Sequence, residues 1–208
     1  MMPRFVTSDW HLGEERMAIM GRPFRDGREC VEAMIANHNR LVSQSDDVFV
    51  LGDVLYQKAD PGVWLPEVAR FHGRKVLVRG NHDRGLSDED FSPYFAEIVE
   101  DGGGFDLDAD GIECFCTHYP TRGVGHVFNL VGHIHGAWKV QLNMLNVGVD
   151  AHHFRPVSLV DVAFWNRAVT EFYDEDVWVA YHDQNARWRG IRGKSGSYFS
   201  PQDGRTKE

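Results

Sequence analysis

Apolar and β-branched residues fall in short runs, each stopped by Gly, Asp, Asn or His: Phe5–Ser8, Val48–Leu51, Lys75–Val78, Ile112–Thr117 and Val127–Val131. Runs of this length and composition predict strands. Between the first two, Val31, Met34, Ile35, His38, Leu41 and Val42 recur at three- and four-residue spacing, as on a helix with one buried face. Asp60-Pro61 supplies a cap and a first-turn proline for a second helix reaching about Phe71, although Pro66 inside it removes a backbone donor. Residues from Phe105 to Cys116 flank Asp110-Gly111, which predicts a hairpin and therefore a mixed sheet system. Trp138–Leu142 and Met144–Val149 read as further strands, and Ser158 with Asp161 caps a helix from Leu159 to about Ala168. Thr170–Tyr181 fits neither period, and from Gly190 onward Gly, Ser, Arg and Lys predict a mobile tail. Strands alternating with helices predict an α/β fold. No repeat or linker divides the chain, so residues 1–189 are expected to form one domain, followed by a flexible tail over 190–208.

Composition narrows the function classes. The chain has 208 residues, 42% of them hydrophobic, enough for a real core in a single domain. Twenty-two Lys and Arg against 31 Asp and Glu leave a net charge of -9, which argues against a broad basic groove and so against duplex nucleic acid as partner. Three cysteines without a CxxC pair form neither a disulfide scaffold nor a zinc ribbon. The opening MMPRFVTSDW lacks a signal peptide's apolar segment, and no run approaches the ~20 apolar residues of a membrane helix, so a cytoplasmic protein is expected. The unusual figure is 11 histidines in an acidic chain.

Five of them follow strand ends. Phe5–Ser8 leads to Asp9-Trp10-His11, Val48–Leu51 to Gly52-Asp53, and Lys75–Val78 to Gly80-Asn81-His82-Asp83. Ile112–Thr117 leads to His118, and Val127–Val131 to Gly132-His133-Ile134-His135. The carboxyl ends of strands in open α/β sheets are where ligands bind, so these side chains should converge. Carboxylate, imidazole and amide donors without thiolate suit Mn, Fe, Zn, Ni or Co, and their number exceeds what one tetrahedral ion uses. Two metals are implied. Residues two apart on extended chain point the same way, so Asp9 with His11 and His133 with His135 should each reach one cluster.

The ordered set Asp9-x-His11, Gly52-Asp53, Gly80-Asn81-His82-Asp83, Thr117-His118 and Gly132-His133-x-His135 resembles the calcineurin-like metallophosphoesterases over residues 5 to about 160. Gly21-Arg22-Pro23-Phe24 and Asn146-Val147-Gly148-Val149-Asp150 place the resemblance nearest to small bacterial and phage members. The resemblance implies a four-layer αββα sandwich with two mixed β-sheets. It further implies that Asp9, His11 and His135 bind one divalent ion and Asn81, His118 and His133 another, with Asp53 bridging. Manganese is the first expectation. A hydroxide between the ions would attack phosphorus, and His82 would protonate the departing oxygen or hold the phosphate. The expected activity is hydrolysis of a phosphomonoester or phosphodiester, such as a small phosphoester or nucleotide; the alternative is an inactive metal-binding scaffold of the same fold, which the presence of His82 disfavours. Where phosphoprotein phosphatases continue Gly-Asp-x-x-Asp, this chain reads Gly52-Asp53-Val54-Leu55-Tyr56, so the partner that orients His82 is missing and Asp83 is the nearest candidate.

Arg22, Arg84 and Arg122 each stand close to a motif and are candidate substrate contacts. Arg25 and Arg28 share the first cluster. Ser87-Asp88-Glu89-Asp90 reads as a helix start. Trp10 is expected to form a packing wall, Cys114 and Cys116 to be small core residues, and His38 to be a core histidine. His72, His126 and His182 are expected at the surface, and His152 and His153 in a loop.

Overall fold

The computed structural model describes residues 3–141, 143–171, 181–182 and 188–189. In chain order the elements are β1 (Arg4–Thr7), α1 (Met17–Met20), α2 (Gly27–Asn39), β2 (Asp47–Val50), α3 (Pro61–Trp64), β3 (Arg74–Val78), α4 (Asp88–Phe91) and β4 (Glu97–Val99). They continue as β5 (Gly104–Ala109), β6 (Ile112–Thr117), β7 (Phe128–Val131), β8 (Val140–Gln141), β9 (Met144–Asn146), β10 (Val157–Ser158) and α5 (Leu159–Glu171). Two five-stranded sheets result, in the orders β10-β1-β2-β3-β4 and β5-β6-β7-β9-β8. Both are mixed: β1 to β4 run parallel with β10 antiparallel, and β6, β7 and β9 run parallel between antiparallel β5 and β8. Two mixed sheets with flanking helices form the α/β architecture that the resemblance implies.

Alternation along the strands sorts side chains into two cores. Phe5, Val48, Val50 and Leu77 face the helices, where Cys30, Val31, Met34 and Ile35 of α2 meet Trp64, Phe71 and Phe91. Val6, Leu51 and Val78 face the second sheet and pack with Leu107, Cys114, Cys116, Leu130 and Leu145. The cysteines are therefore core residues, as expected. Helix α5 closes this second core with Leu159 and Val162 and contacts β1, β5 and β10.

Local signals account for the ends. The Asp26 side chain caps α2 by accepting the Glu29 N–H, and Ser158 accepts the Asp161 N–H at the start of α5. Asp60 caps α3, but the segment tightens into a 3-10 helix over Leu65–Arg70, because Pro66 cannot donate to an α-helical ladder. Ser87 and Asp90 form a capping box at α4. Asp110 and Gly111 both have positive φ, 55° and 84°, the two left-handed residues that a tight hairpin turn needs. Trp138–Leu142 shortens to Val140–Gln141, with Leu142 outside the described residues. Thr170 belongs to α5 and Tyr181 pairs in a two-residue strand against Trp188–Arg189, whereas residues 172–180 and the expected tail from 190 lie outside the described residues.

Candidate metal centre

The parallel strands of both sheets end at one place. A bridge between Ser8 and Gly148 joins the chain beyond β1 to the chain beyond β9, so loops from the two sheets interlock there. Three groups of donor atoms lie within 4.8 Å of one another: Asp9, His11 and His135; His11, Asp53 and His82; and Asp53, His118 and His133. Asp53 stands between the outer sets, its Oδ2 3.4 Å from His11 Nε2 and 3.5 Å from His118 Nε2. Asn81 Oδ1 lies 3.2 Å from the same His118 nitrogen. The structure thus brings together all eight residues, Asp9, His11, Asp53, Asn81, His82, His118, His133 and His135, that the strand-end pattern singled out.

The reason for the convergence differs from the expected one. Asp9, His11, Asp53, His133 and His135 do not lie on extended chain; all have positive φ, between 49° and 74°. Each pair turns twice through left-handed backbone and aims its ligands at the cluster. Trp10 between them goes into the core, stacked 4.2 Å from Phe71, and forms the expected wall. Glycines admit the carboxylates: a Cβ on Gly80 would collide with Asp53 Oδ1, and one on Gly148 would sit 2.8 Å from Asp9 Oδ2. Asp9 also accepts the His133 N–H at 3.0 Å, tying β1 of the first sheet to β7 of the second.

Hydrogen bonds fix the rings. His118 Nδ1 lies 2.7 Å from the Leu51 carbonyl, an acceptor only, so Nδ1 carries a proton. Without a proton on Nε2 its lone pair would face the oxygens of Asp53 and Asn81, so a proton or a metal ion must sit between them. His11 Nε2 is buried without a hydrogen-bond partner. Facing lone pairs and an orphaned buried nitrogen call for a cation, and this donor set fits divalent metals. Proton affinities follow the same logic. Burial opposes charge on Asp53, yet His11 and His118 hold its carboxyl well below the usual range. Burial lowers His118, but the Asp53 carboxylate outweighs it and raises the ring to about 9. Burial and the charge of His118 lower His133, which is exposed at the mouth of the site.

His82 is held differently. The Gln57 backbone N–H donates to His82 Nδ1 at 3.2 Å, and the His82 N–H donates to Asp53 Oδ1 at 2.9 Å. Asp83 is not the partner of His82. Its carboxylate is fully buried and accepts the backbone N–H groups of Asp53, Val54 and Gly80 at 2.8 to 3.0 Å, which shapes the loop carrying Asp53. Burial pushes Asp83 up to about 6 and lowers His82.

Arg22 is likewise not a substrate contact. Its side chain is 1% exposed and forks onto Asp150 at 2.8 and 3.1 Å, because the planar guanidinium needs a carboxylate to enter the interior. Arg84 is exposed, pairs with Asp101 and donates to Tyr119 Oη at 3.1 Å, while the Tyr119 ring lies 4.7 Å from His118 and 5.0 Å from His133. Arg122 is exposed in the turn Pro120–Arg122. Arg25 pairs with Glu29, and Arg28 pairs with Glu67 and lies over Trp64. His38 and His152 are buried against backbone carbonyls, His72 is half-buried and His126 exposed, and His182 has no described side chain. The roles of Gln57, Tyr119 and Asp150 were not predicted. Only Asp150 had a sequence signal, as the acid closing Asn146–Asp150.

The family model described as calcineurin-like phosphoesterase matches residues 2–202. An uncharacterized protein of Methanocaldococcus jannaschii is 26% identical over 163 residues, covering 74% of this chain and 86% of that protein. A crystal structure of a protein of unknown function from Aquifex aeolicus superposes with a TM-score of 0.63 at 20% identity, covering 79% of this chain and 99% of the other, and shares the fold. Because the family match runs over nearly the whole length and includes every strand end that supplies a donor, the chain belongs to the calcineurin-like phosphoesterases.

Proposed function

We propose that this protein hydrolyses a small phosphoester or nucleotide, a phosphomonoester or phosphodiester, at a centre that takes two divalent ions. The observation that carries the reading is Asp53, whose carboxylate faces one imidazole of each outer donor set while a backbone bond from His82 holds its other oxygen. Asp9, His11 and His135 would hold one ion and Asn81, His118 and His133 the other, with Asp53 shared. When bound, such ions bring positive charge to the phosphoryl oxygens and lower the pKa of a water between them. Manganese suits the donors; Fe, Zn, Ni and Co do as well.

The catalytic residue of the chain itself is His82. The Gln57 N–H can only donate, so the neutral ring keeps its proton on Nε2 and offers it to a phosphoryl or departing oxygen. The same tautomer makes His82 a donor and not a further ligand beside His11 and Asp53. Arg84, which donates to Tyr119 beside His118 and His133, and Arg122, exposed in the turn that follows Tyr119, are the proposed substrate contacts. Four positive charges from two ions would meet Asp9 and Asp53, which reverses the acidic balance locally and admits an anion to a chain of net charge -9. The segments Gly21–Phe24 and Asn146–Asp150 support the small bacterial and phage branch, and the cytoplasm is the proposed location. Among the described residues no helix is long and apolar enough to cross a membrane.

The test compares manganese-loaded with chelated protein on p-nitrophenyl phosphate and bis-p-nitrophenyl phosphate. Turnover of at least one, lost in Asp53→Asn, is expected. A protein that binds metal and cleaves neither is a scaffold, and the enzyme reading ends there.

A further inference from the structure

We infer that Arg22 and Asp150 form a buried clamp that positions His135 and the Asp9–His11 loop, and so sets how tightly one of the two metal sites holds its ion. The inference rests on the two-metal reading above and assigns two positioning residues to it. The Arg22 guanidinium joins two other stretches of chain, one at Asp9–Trp10 and one at Asp150. Nε and Nη2 donate to the two Asp150 oxygens at 2.8 and 3.1 Å. Nη2 also donates to the Asp9 carbonyl at 2.7 Å, and Nη1 to the Trp10 carbonyl at 2.9 Å. Those two carbonyls belong to the left-handed turn that aims Asp9 and His11. On its other side, Asp150 Oδ2 lies 2.9 Å from His135 Nδ1.

Each bond has a consequence for a ligand. A carboxylate paired with arginine is an acceptor only, so His135 donates from Nδ1 and keeps the Nε2 lone pair free for an ion. The carbonyl bonds close the turn between Asp9 and His11, a conformation that costs energy without such support. All three ligands of one donor set are therefore held by one ion pair. Among the described residues no buried ion pair holds the other set in this way: the His118 ring rests on the Leu51 carbonyl. Lysine could not replace Arg22, because one ammonium cannot fork onto Asp150 and reach both carbonyls in the plane of the guanidinium. A plain structural ion pair would stabilise the fold without discriminating between the two metal sites, and that difference is measurable.

The experiment titrates zinc into metal-free wild-type protein, Asp150→Asn and the double variant Arg22→Met/Asp150→Ala, which leaves no unpaired charge in the interior. Calorimetry gives the number and affinity of sites, and 15N spectra of the zinc-loaded protein show which nitrogen of His135 carries the proton. Wild type should take two ions with His135 protonated on Nδ1. In the double variant one site should weaken by about 10- to 100-fold while the other is unchanged, and the Nδ1 proton should lose its protection from exchange. Asp150→Asn, which keeps an oxygen for Nδ1–H, should weaken the same site by less and carries the test if the double variant does not fold. Equal affinities in variant and wild type, or equal weakening of both sites, would overturn the clamp. A wild type that takes up no ion would overturn the two-metal reading and the clamp with it.

Discussion

Lowering the pH from about 7.5 to about 4.5 charges any histidine that water can reach, since an unperturbed ring titrates near 6.5. His38 and His152 are withheld from water. His38 is 2% exposed, sits edge-on to Trp10 and Phe71, and lies 3.0 Å from the His72 carbonyl. His152 is 8% exposed, with Nε2 2.7 Å from the Asn146 carbonyl. Burial lowers both to about 4. A histidine whose folded pKa is depressed contributes stability above its unfolded value, and that stability is lost as the pH falls through the folded one. At about pH 4.5 the unfolded ring is nearly all protonated and the folded ring mostly neutral, which costs about 2–3 kcal/mol per histidine, or about 5 for the pair. A domain's whole stability is roughly 5–15 kcal/mol, so partial acid unfolding is expected. The assay is urea denaturation at the two pH values with chelator present, for wild type, His38→Gln and His152→Gln. Glutamine keeps a donor for the carbonyl and cannot be charged. Each variant should lose about 2–3 kcal/mol less than wild type on acidification, a difference from which the opposite contribution of Asp83 cancels. If the variants lose as much as wild type, burial of these rings is not the source of the acid sensitivity.

Three further outcomes probe the site. Gly80→Ala puts a methyl group against Asp53 Oδ1 and should weaken metal binding by about 10- to 100-fold, whereas Gly85→Ala, which meets open space, should leave it unchanged; calorimetry on both variants distinguishes steric exclusion from general damage. His82→Ala should keep the metal stoichiometry of wild type and slow esters of poor leaving groups by about 10²- to 10⁴-fold, with a smaller loss on p-nitrophenyl esters; equal losses on both would remove His82 from the proton transfer. Manganese at a hundredfold excess over its dissociation constants should add about 2.7 kcal/mol for each ion bound and raise the melting temperature by roughly 5–11 °C per ion; no shift in a calorimetric scan would contradict the metal reading.

Strands β1, β2, β3, β6 and β7 were legible because buried parallel strands must be continuous apolar runs, and each was located to within a residue at its ends; the expected Met144–Val149 ends as a strand at Asn146, three residues early. The hairpin was legible because Asp110-Gly111 tolerates the two left-handed residues observed there. Strand β4, Glu97–Val99, and helix α1 were not, since three or four residues at an edge carry no periodicity. The donor residues were legible because they follow strand ends in order. What supports them was not: a buried arginine at position 22, a carboxylate at 83 used up by three backbone N–H groups, and an amide at 57 aimed at His82 all depend on long-range contacts. Arg22 misled because arginine near a phosphate site is read as a ligand for phosphate. Only its Asp150 partner, 128 positions later, makes it an interior residue.

The left-handed turns connect stability to function. A non-glycine residue with positive φ costs of order 1–2 kcal/mol, and this centre has five: Asp9, His11, Asp53, His133 and His135. Their sum, about 5–10 kcal/mol, is comparable to the stability of an entire domain. Such turns persist only where neighbouring structure determines them several times over. Here Asp9 and His11 donate their N–H groups to the Gly52 and Asp53 carbonyls, Asp83 holds the Asp53 loop from below, and Arg22 holds the Asp9 and Trp10 carbonyls from the side. Trp10 anchors the same turn in the core against Phe71 and His38. Protonating His38 therefore acts on the turn that carries two ligands, and acid should loosen the metal centre before it reaches the global unfolding midpoint. Most of these supports are protein–protein bonds, so the donor geometry is built into the chain and the ions enter a site already formed.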